Sequence, residues 1–277
     1  EKQIADDRKA AANRPLPELL KDLESSEMRV IFDATRAISA LGADAKPAVP
    51  QLIVIIEKDQ ETPRLACIHL LGTIGPGAVE SVPTLIKMLS HSDFHTQYFA
   101  LRALAKIGPE AKVALPEMIR LLKTGVATTR KNAATALGDL GPIIGSDGIE
   151  ALNSALADPL FPVREQVAFA LGKLGKAAES TLPALRELAS NPAKSTRIPA
   201  AFAIWQIAQD TEFALPILIA EIDGHDNPME ALRSIGVMGK QAKAALPALV
   251  KCLGHEDSEL RMLAADALGE IGDNSGT

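Results

Sequence analysis

The stretch KIGPEAKVALPEMIRLLK, residues 106–123, decides the reading of this chain, because its outline recurs from one end to the other. ALGADAKPAVPQL (40–52), TIGPGAVESVPTL (73–85), KLGKAAESTLPAL (173–185) and VMGKQAKAALPAL (237–249) repeat it. The glycine falls at Gly42, Gly75, Gly108, Gly141, Gly175, Gly239 and Gly272, with Ala208 filling one slot, so the steps run from 31 to 34 residues. A proline follows in parallel at Pro17, Pro50, Pro83, Pro116, Pro183, Pro216 and Pro247, and Glu150 takes the missing place. One inserted residue in PIIGSDGIEA (142–151) accounts for the longest step, and a deletion of two near GHDNP (224–228) for the shortest.

Each glycine ends a run of helical period such as RKNAATALGDL or REQVAFALGKL. Glycine adopts the left-handed conformation that closes a helix at the least cost, so it marks the end of a helix A. Each proline opens a second run such as PTLIKMLS or PALVKCLG. Proline in the first helical turn forfeits no hydrogen bond, so it marks the start of a helix B. The turns between repeats carry Thr62, Asp93, Thr128, Asp158, Ser195, Asn227 and Asp257, residue types that cap the next helix A. Helices alternate, and no segment reads as a strand.

The Gly–x7–Pro spacing between two aliphatic helices resembles short HEAT-like repeats of the phycobilin-lyase type. So does an arginine eleven residues before the glycine slot, at Arg64, Arg130, Arg164, Arg197 and Arg261. The resemblance implies an all-α fold: a right-handed α-solenoid of about seven helical hairpins with 31–34-residue repeats, residues 1–277 forming a single array. The slots occupied by Ile31, Gln97 and Pro228 depart from the arginine pattern. An arginine there is expected to reach capping groups or a neighbouring repeat while its stem covers apolar surface.

Composition narrows the function. Hydrophobic residues make up 47% of the chain but aromatics only 3%, which suits close helix packing better than aromatic-lined pockets. A net charge of −6 argues against nucleic acid as the main partner, since phosphate binding needs a basic footprint. No run of ~20 apolar residues predicts membrane insertion. The two cysteines, Cys67 and Cys252, have no evident catalytic partner.

No constellation for catalysis emerges. HExxH is absent, and the single His-Glu pair, His255-Glu256, cannot build the di-iron site of the HEAT-like deoxyhypusine hydroxylases. His91, His225 and His255 recur just after helix B, in SHSD, GHDN and GHED, where an imidazole is expected to meet the last carbonyls and the helix dipole. His91 and His95 stand four apart, but Ser92-Asp93 between them reads as a turn, so no metal is expected there. No catalytic residue and no cofactor is expected.

Helices B are the faces that line the concave side in the family this chain resembles. Counted from the proline, positions two, three and six are apolar: Leu52, Ile53 and Ile56; Leu85, Ile86 and Leu89; Met118, Ile119 and Leu122. These are the expected core. Position four points the other way and reads Lys21, Val54, Lys87, Arg120, Ser154, Glu187, Ala220 and Lys251. With the nearby Lys123 this lane is the candidate protein-binding surface, and its cations suit an acidic segment of a protein partner. The chain therefore reads as a non-catalytic interaction or scaffold module, of a kind resembling arrays attached to bacterial enzymes. The resemblance implies an alternative, a lyase-like or chaperone-like accessory protein acting on a tetrapyrrole-bearing partner.

The ends are expected to be incomplete. Gly272 closes a helix A with no helix B after it, and before Pro17 there is only a short polar candidate helix around Lys2 to Ala12. Leu260, Leu263, Ala264, Ala267, Leu268 and Ile271 are more apolar residues than one stacking face needs, which predicts an end-to-end contact through the C-terminal helix.

Overall fold

The computed structural model describes residues 14–191, 196–222 and 228–272. The candidate helix around Lys2 to Ala12, and Ser195, His225 and Asn227, lie outside them. The described residues contain helices and no strand. In chain order these are α1 (Leu16–Asp22), α2 (Met28–Leu41), α3 (Val49–Glu57), α4 (Glu61–Ile74), α5 (Val82–Leu89), α6 (Phe94–Ile107), α7 (Leu115–Thr124) and α8 (Ala127–Leu140). They continue as α9 (Gly145–Ala155), α10 (Phe161–Leu174), α11 (Leu182–Ser190), α12 (Arg197–Ala208), α13 (Thr211–Ile222), α14 (Pro228–Met238), α15 (Leu246–Cys252) and α16 (Ser258–Gly272). Even-numbered helices are the A helices and odd-numbered ones the B helices. Two compact units divide the chain, residues 1–151 and 152–277.

Within each unit the architecture is the same. Helices A stack in sequence, α2 on α4 on α6 on α8 in the first unit and α10 on α12, α14 on α16 in the second, while α1, α3, α5 and α7 in the first unit and α11, α13 and α15 in the second each pack on the helix A that follows. The core is aliphatic: Leu52, Leu71, Leu85, Leu101 and Leu137 in the first unit, Leu171, Leu185, Leu218, Leu232 and Leu249 in the second, all fully buried.

The connectors are more ordered than the spacing predicted. Between glycine and proline the chain winds into 3-10 helices, Gly42–Ala48, Gly75–Ser81, Pro109–Ala114, Gly141–Ile144, Gly175–Thr181 and Gly239–Ala245. A 3-10 helix has three residues per turn, so every third side chain eclipses the last. The buried residues obey that period: Ala45 and Ala48, Ala78 and Ser81, Ala111 and Ala114, Ala178 and Thr181, Ala242 and Ala245. Ser81 and Thr181 donate their hydroxyls to the carbonyls of Ala78 and Ala178, each at 2.7 Å, so neither is a buried orphan.

The glycine slot is also more demanding than a left-handed cap. Gly75 has φ 67 and ψ −132, and Gly42, Gly108, Gly141, Gly175 and Gly239 likewise have positive φ. With ψ strongly negative, this is mirror-image extended backbone, which a Cβ excludes far more strictly than the left-handed helical region. The ordinary left-handed conformation occurs where the slot residue is Ala208: the following Gln209 takes it, with φ 55 and ψ 28.

Most prolines stand at the second residue of helix B, as in α3, α5, α7, α11 and α15. Two slots differ. Helix α9 starts at Gly145, five residues before Glu150, and α13 starts at Thr211, leaving Pro216 inside the helix. In these places the 3-10 segment is short or missing, and helix B takes up the residues it would have used. Of the expected caps, Asp93 accepts from the N–H groups of His95 and Thr96, and Asp257 from that of Glu259 at 2.8 Å. Thr62 and Thr128 lie inside α4 and α8, and Asp158 instead takes the N–H of Leu160 at 2.9 Å.

Glu61–Leu89 is apolar enough in composition to cross a membrane. The break at Gly75 divides it into helices of 14 and 8 residues. These span ~21 and ~12 Å, short of a ~30 Å hydrocarbon core.

Candidate functional site

Turning helices B about their axes shows which positions face outward. Position four is exposed in every described repeat. In the first unit this holds for Lys21, Val54, Lys87 and Arg120, together with Lys123, and in the second for Ser154, Glu187, Ala220 and Lys251. Position two is core, as Leu52, Leu85 and Met118 show, and so is position six, with Ile56, Leu89 and Leu122. Position three is not: Ile53, Ile86 and Ile119 are half-buried, whereas Ile55 and Leu121 at position five are buried. In α3 and α7 the buried stripe thus runs through positions two, five and six, whereas Met88 at position five of α5 is half-buried like Ile86. Beside the lane in the first unit there is thus an aliphatic border made by three isoleucines.

The lane's charges are not bare. Arg120 grips Glu117 on its own helix with both ends of its guanidinium, at 2.8 Å and 2.6 Å, and Ser90, just after α5, donates to the same carboxylate at 2.8 Å. The Arg120 hydrogen bond holds the Glu117 carboxyl below its usual range against the opposing effect of burial, and the same bond raises the guanidinium of Arg120. Lys87 Nζ stands 4.0 Å from Glu57 of α3, and Lys58 pairs with Glu24. Acids therefore accompany two of the lane's cations, Lys87 and Arg120.

The arginine ladder is a structural device. Arg130 donates to the carbonyl of Gly125 at 2.9 Å, Arg164 to those of Asp158 and Pro159 at 2.7 and 3.0 Å, and Arg261 to those of His255 and Glu256 at 2.7 and 2.8 Å. Each arginine reaches back over the B-to-A turn and satisfies carbonyls that the preceding helix leaves open. Arg64 does this with Asp59, and its Nε donates forward to Thr96 Oγ1 at 3.1 Å. Gln97 occupies an arginine slot and performs both tasks with an amide: its Nε2 donates to the His91 carbonyl at 2.9 Å, and its Oε1 accepts from Thr129 at 3.0 Å.

The histidines act on the turn in a different way from that expected. His91 Nδ1 accepts the N–H of Asp93 at 2.9 Å, and His255 Nδ1 accepts that of Asp257 at 3.0 Å. The imidazole thus satisfies the donor of the residue that caps the next helix rather than the last carbonyls of helix B. His91 Nε2 faces Asp59 Oδ1 at 3.3 Å, and His95 lies in the first turn of α6 with its Nδ1 3.4 Å from Asp93. His91 and His95 therefore serve separate local contacts. Burial, then the nearby Lys106 and Arg102, lower the pKa of His69.

Asp93 is the most strongly shifted carboxyl. Burial would raise it, but the hydroxyl and N–H of Thr96 and the N–H of His95 together bring it down to about 2. Burial pushes the Cys67 thiol up to about 12, with the Glu24 carboxylate adding to the effect, so it is a packing residue and not a nucleophile. Cys252 is likewise buried and free.

A feature absent from the sequence reading is an open groove of about 600 Å³ in the first unit, lined by Leu16, Pro17, Leu20, Lys21, Glu24, Pro47 and Gln51. It forms between α1 and the Gly42–Ala48 connector. No local pattern encodes it, because its walls come from separate repeats.

Stacked helical hairpins with a patterned outer face on helices B define a repeat protein of the α-solenoid class. A family model for HEAT repeats matches residues 49–138, 121–205 and 215–276, and the chain belongs to the HEAT repeat family. No curated protein matches it significantly. Among solved structures it is similar to an engineered protein at 23% identity, over 97% of this chain and 84% of that one, with a TM-score of 0.50. It is also similar to the E. coli protein YIBA, at 16% identity over 98% and 97% of the two chains, with a TM-score of 0.57. Kap121p bound to Nup53p matches at 17% identity and a TM-score of 0.57, over 93% of this chain but 33% of that one. At these identities the likeness is one of fold.

Proposed function

We propose that the chain is a protein-interaction module whose first unit takes a segment of a partner protein along the outer face of helices B. The observation that carries this reading is the pairing of an exposed polar lane, Lys21, Val54, Lys87, Arg120 and Lys123, with the half-buried border Ile53, Ile86 and Ile119. Interfaces are built that way, with an apolar centre that gives energy and a polar margin that gives register. Such a segment lays apolar side chains on the isoleucines, and its carboxylates join the existing Lys87–Glu57 and Arg120–Glu117 pairs as further acceptors. That Kap121p, a solenoid sharing the fold at low identity, has been captured with the protein Nup53p is in keeping with this reading. Ser154, Glu187 and Lys251 are the corresponding surface of the second unit, and the exposed flank of α16 is a separate contact surface at its end.

The test is affinity capture from the native source with the wild-type chain and with a variant carrying Lys87→Glu, Arg120→Glu and Lys123→Glu. A bound protein that is lost from the variant, while its thermal unfolding is unchanged, supports the lane. Equal capture by both chains sinks it. A visible absorption band in the purified protein would instead favour the tetrapyrrole alternative.

A further inference from the structure

The stacking of helices A uses a small-residue contact that recurs in both units. Three residues before the closing slot stands a second glycine in α4, α8, α10, α14 and α16, with Ser39, Ala105 and Trp205 in that place in α2, α6 and α12. Five before the slot stands an alanine in every helix A except α4 and α14, which have Leu70 and Ser234. A Cβ built on Gly72 would lie 3.0 Å from the Cα of Ala103, one on Gly172 3.4 Å from the Cα of Ala203, and one on Gly236 3.6 Å from the Cα of Ala267. The absence of a side chain on one helix lets the backbone of the next come close, which is the use of glycine at a helix crossing.

Helix α16 carries the same residue at the same place, Gly269, and there a Cβ would meet nothing within 4 Å. The positions beside it tell the same story. Ala265 and Gly269 are exposed and Leu268 is half-buried, whereas their equivalents Ile68, Leu71 and Gly72 in α4, and Ala168, Leu171 and Gly172 in α10, are buried. The sequence of α16 is thus built to receive a helix A that the described residues do not supply.

Helix α2 has the complementary defect. The positions that meet the preceding helix A are buried as Thr96 and Ala103 in α6, Thr129 and Ala136 in α8, and Leu260 and Ala267 in α16. In α2 the equivalents Val30 and Ala37 are only half-buried. Charge agrees as well. Arg233 on α14 reaches Glu259 on α16 at 3.2 Å, and the same two positions on α16 and α2 are Asp266 and Arg29, a pair of opposite sign again.

From this we infer that a second copy of the chain docks head to tail, its α2 lying on α16 with Ala37 against Gly269 and Arg29 beside Asp266. The contact is heterologous, so a pair of copies leaves one α16 and one α2 free and further copies add as concentration rises. It is independent of the lane on helices B: loss of partner capture by the lane variant leaves it standing, and its own failure leaves the lane standing.

Sedimentation velocity over a concentration series decides it. The expected result is concentration-dependent growth of species larger than a monomer, with amide exchange across Leu263–Ile271 slowing as association proceeds. Gly269→Leu fills open space in the monomer and removes a helix glycine, so its thermal unfolding is not lowered, but it raises the dissociation constant about tenfold or more. Asp266→Arg alone and Arg29→Asp alone each weaken association, and mixing the two variants restores it. A chain that stays monomeric throughout the series, or one whose association Gly269→Leu leaves untouched, or a mixture that fails to restore association, overturns the inference.

Discussion

Two connectors of the same molecule solve the same problem with different chemistry. Between α4 and α5 in the first unit, Gly75 turns the chain through a backbone conformation closed to other residues, and a 3-10 helix carries it to Pro83. Between α12 and α13 in the second unit both devices are missing. Gln209 takes the left-handed conformation, only two residues separate the helices, and side chains replace the lost backbone structure. Trp205 Nε1 donates to Gln241 Oε1 at 2.8 Å, Thr211 donates to the same oxygen at 3.0 Å, and Gln241 Nε2 donates to Gln209 at 3.0 Å. Trp205 also stands where other A helices have their contact glycine, so α12 and α14 approach less closely than the neighbouring pairs. A regular repeat stores its geometry in the backbone of one residue; an irregular one must hold it with a network of several.

The largest expected effect tests the close approach of helices A. Gly72→Leu places a side chain against the backbone of Ala103, and thermal or urea unfolding should show a loss of about 3 kcal/mol, since overpacking of a tight contact cannot be relieved by rotating a side chain. Gly269→Leu, in the same position of the last helix, should cost the monomer no stability and gain up to about 1 kcal/mol from helix propensity.

Next comes the connector itself. Gly75→Ala should cost about 2 kcal/mol, because alanine must hold a φ and ψ that its Cβ opposes. Gln209→Gly should cost far less, as the gain in backbone ease offsets part of the lost hydrogen bonding. Equal losses at the two sites would show that the backbone conformations are not what distinguishes them.

The cap at Asp93 gives a pH signature. Its folded pKa of about 2 lies below the ordinary carboxyl value of 3.8, so its charged form stabilises the fold above pH ~4, and that stability disappears as pH falls toward 2. About 1 to 2 kcal/mol should be lost across that window, and Asp93→Asn should flatten this part of the stability profile. A profile identical to that of wild type would remove Asp93 from the account.

The smallest effect compares two threonines in one register. Thr96 Oγ1 receives Arg64 Nε and donates to Asp93, while Thr196 Oγ1 and Arg164 Nε, which hold the matching positions in the second unit, are both buried without a partner. Thr96→Val should cost about 1 kcal/mol or more, and Thr196→Val close to nothing, because valine is better placed than an unsatisfied hydroxyl. A loss at Thr196 matching that at Thr96 would show that the Arg164–Thr196 bond forms in solution.

Much of the fold was legible because its signals are local. Glycine and proline fix backbone angles whatever surrounds them, so Gly108 and Pro116 announce a helix end and a helix start to any reader of the sequence. The 3-10 connectors were not read, because the Gly–Pro interval marks only where one helix ends and the next begins; the three-residue spacing of Ala78 and Ser81 acquires meaning once both are found buried. The lane at position four could be placed because a helical period determines what lies opposite an apolar stripe. The roles of individual side chains could not. Arg64 and Lys87 are both cations on helices, yet one is buried against a turn and the other lies in the open beside Glu57.

Sequence by itself thus determined the repeat, the alternation of helices A and B and the residues that punctuate it, since each follows from the conformational limits of one residue and its immediate neighbours. Tertiary structure alone decided that position five rather than three completes the core in α3 and α7, that the arginine ladder satisfies turn carbonyls, and that Gly269 faces open space while Gly72 meets Ala103. These depend on which helix lies alongside, and a side chain's burial, partner and charge state are set by neighbours about 30 residues away in the chain, which local pattern does not encode.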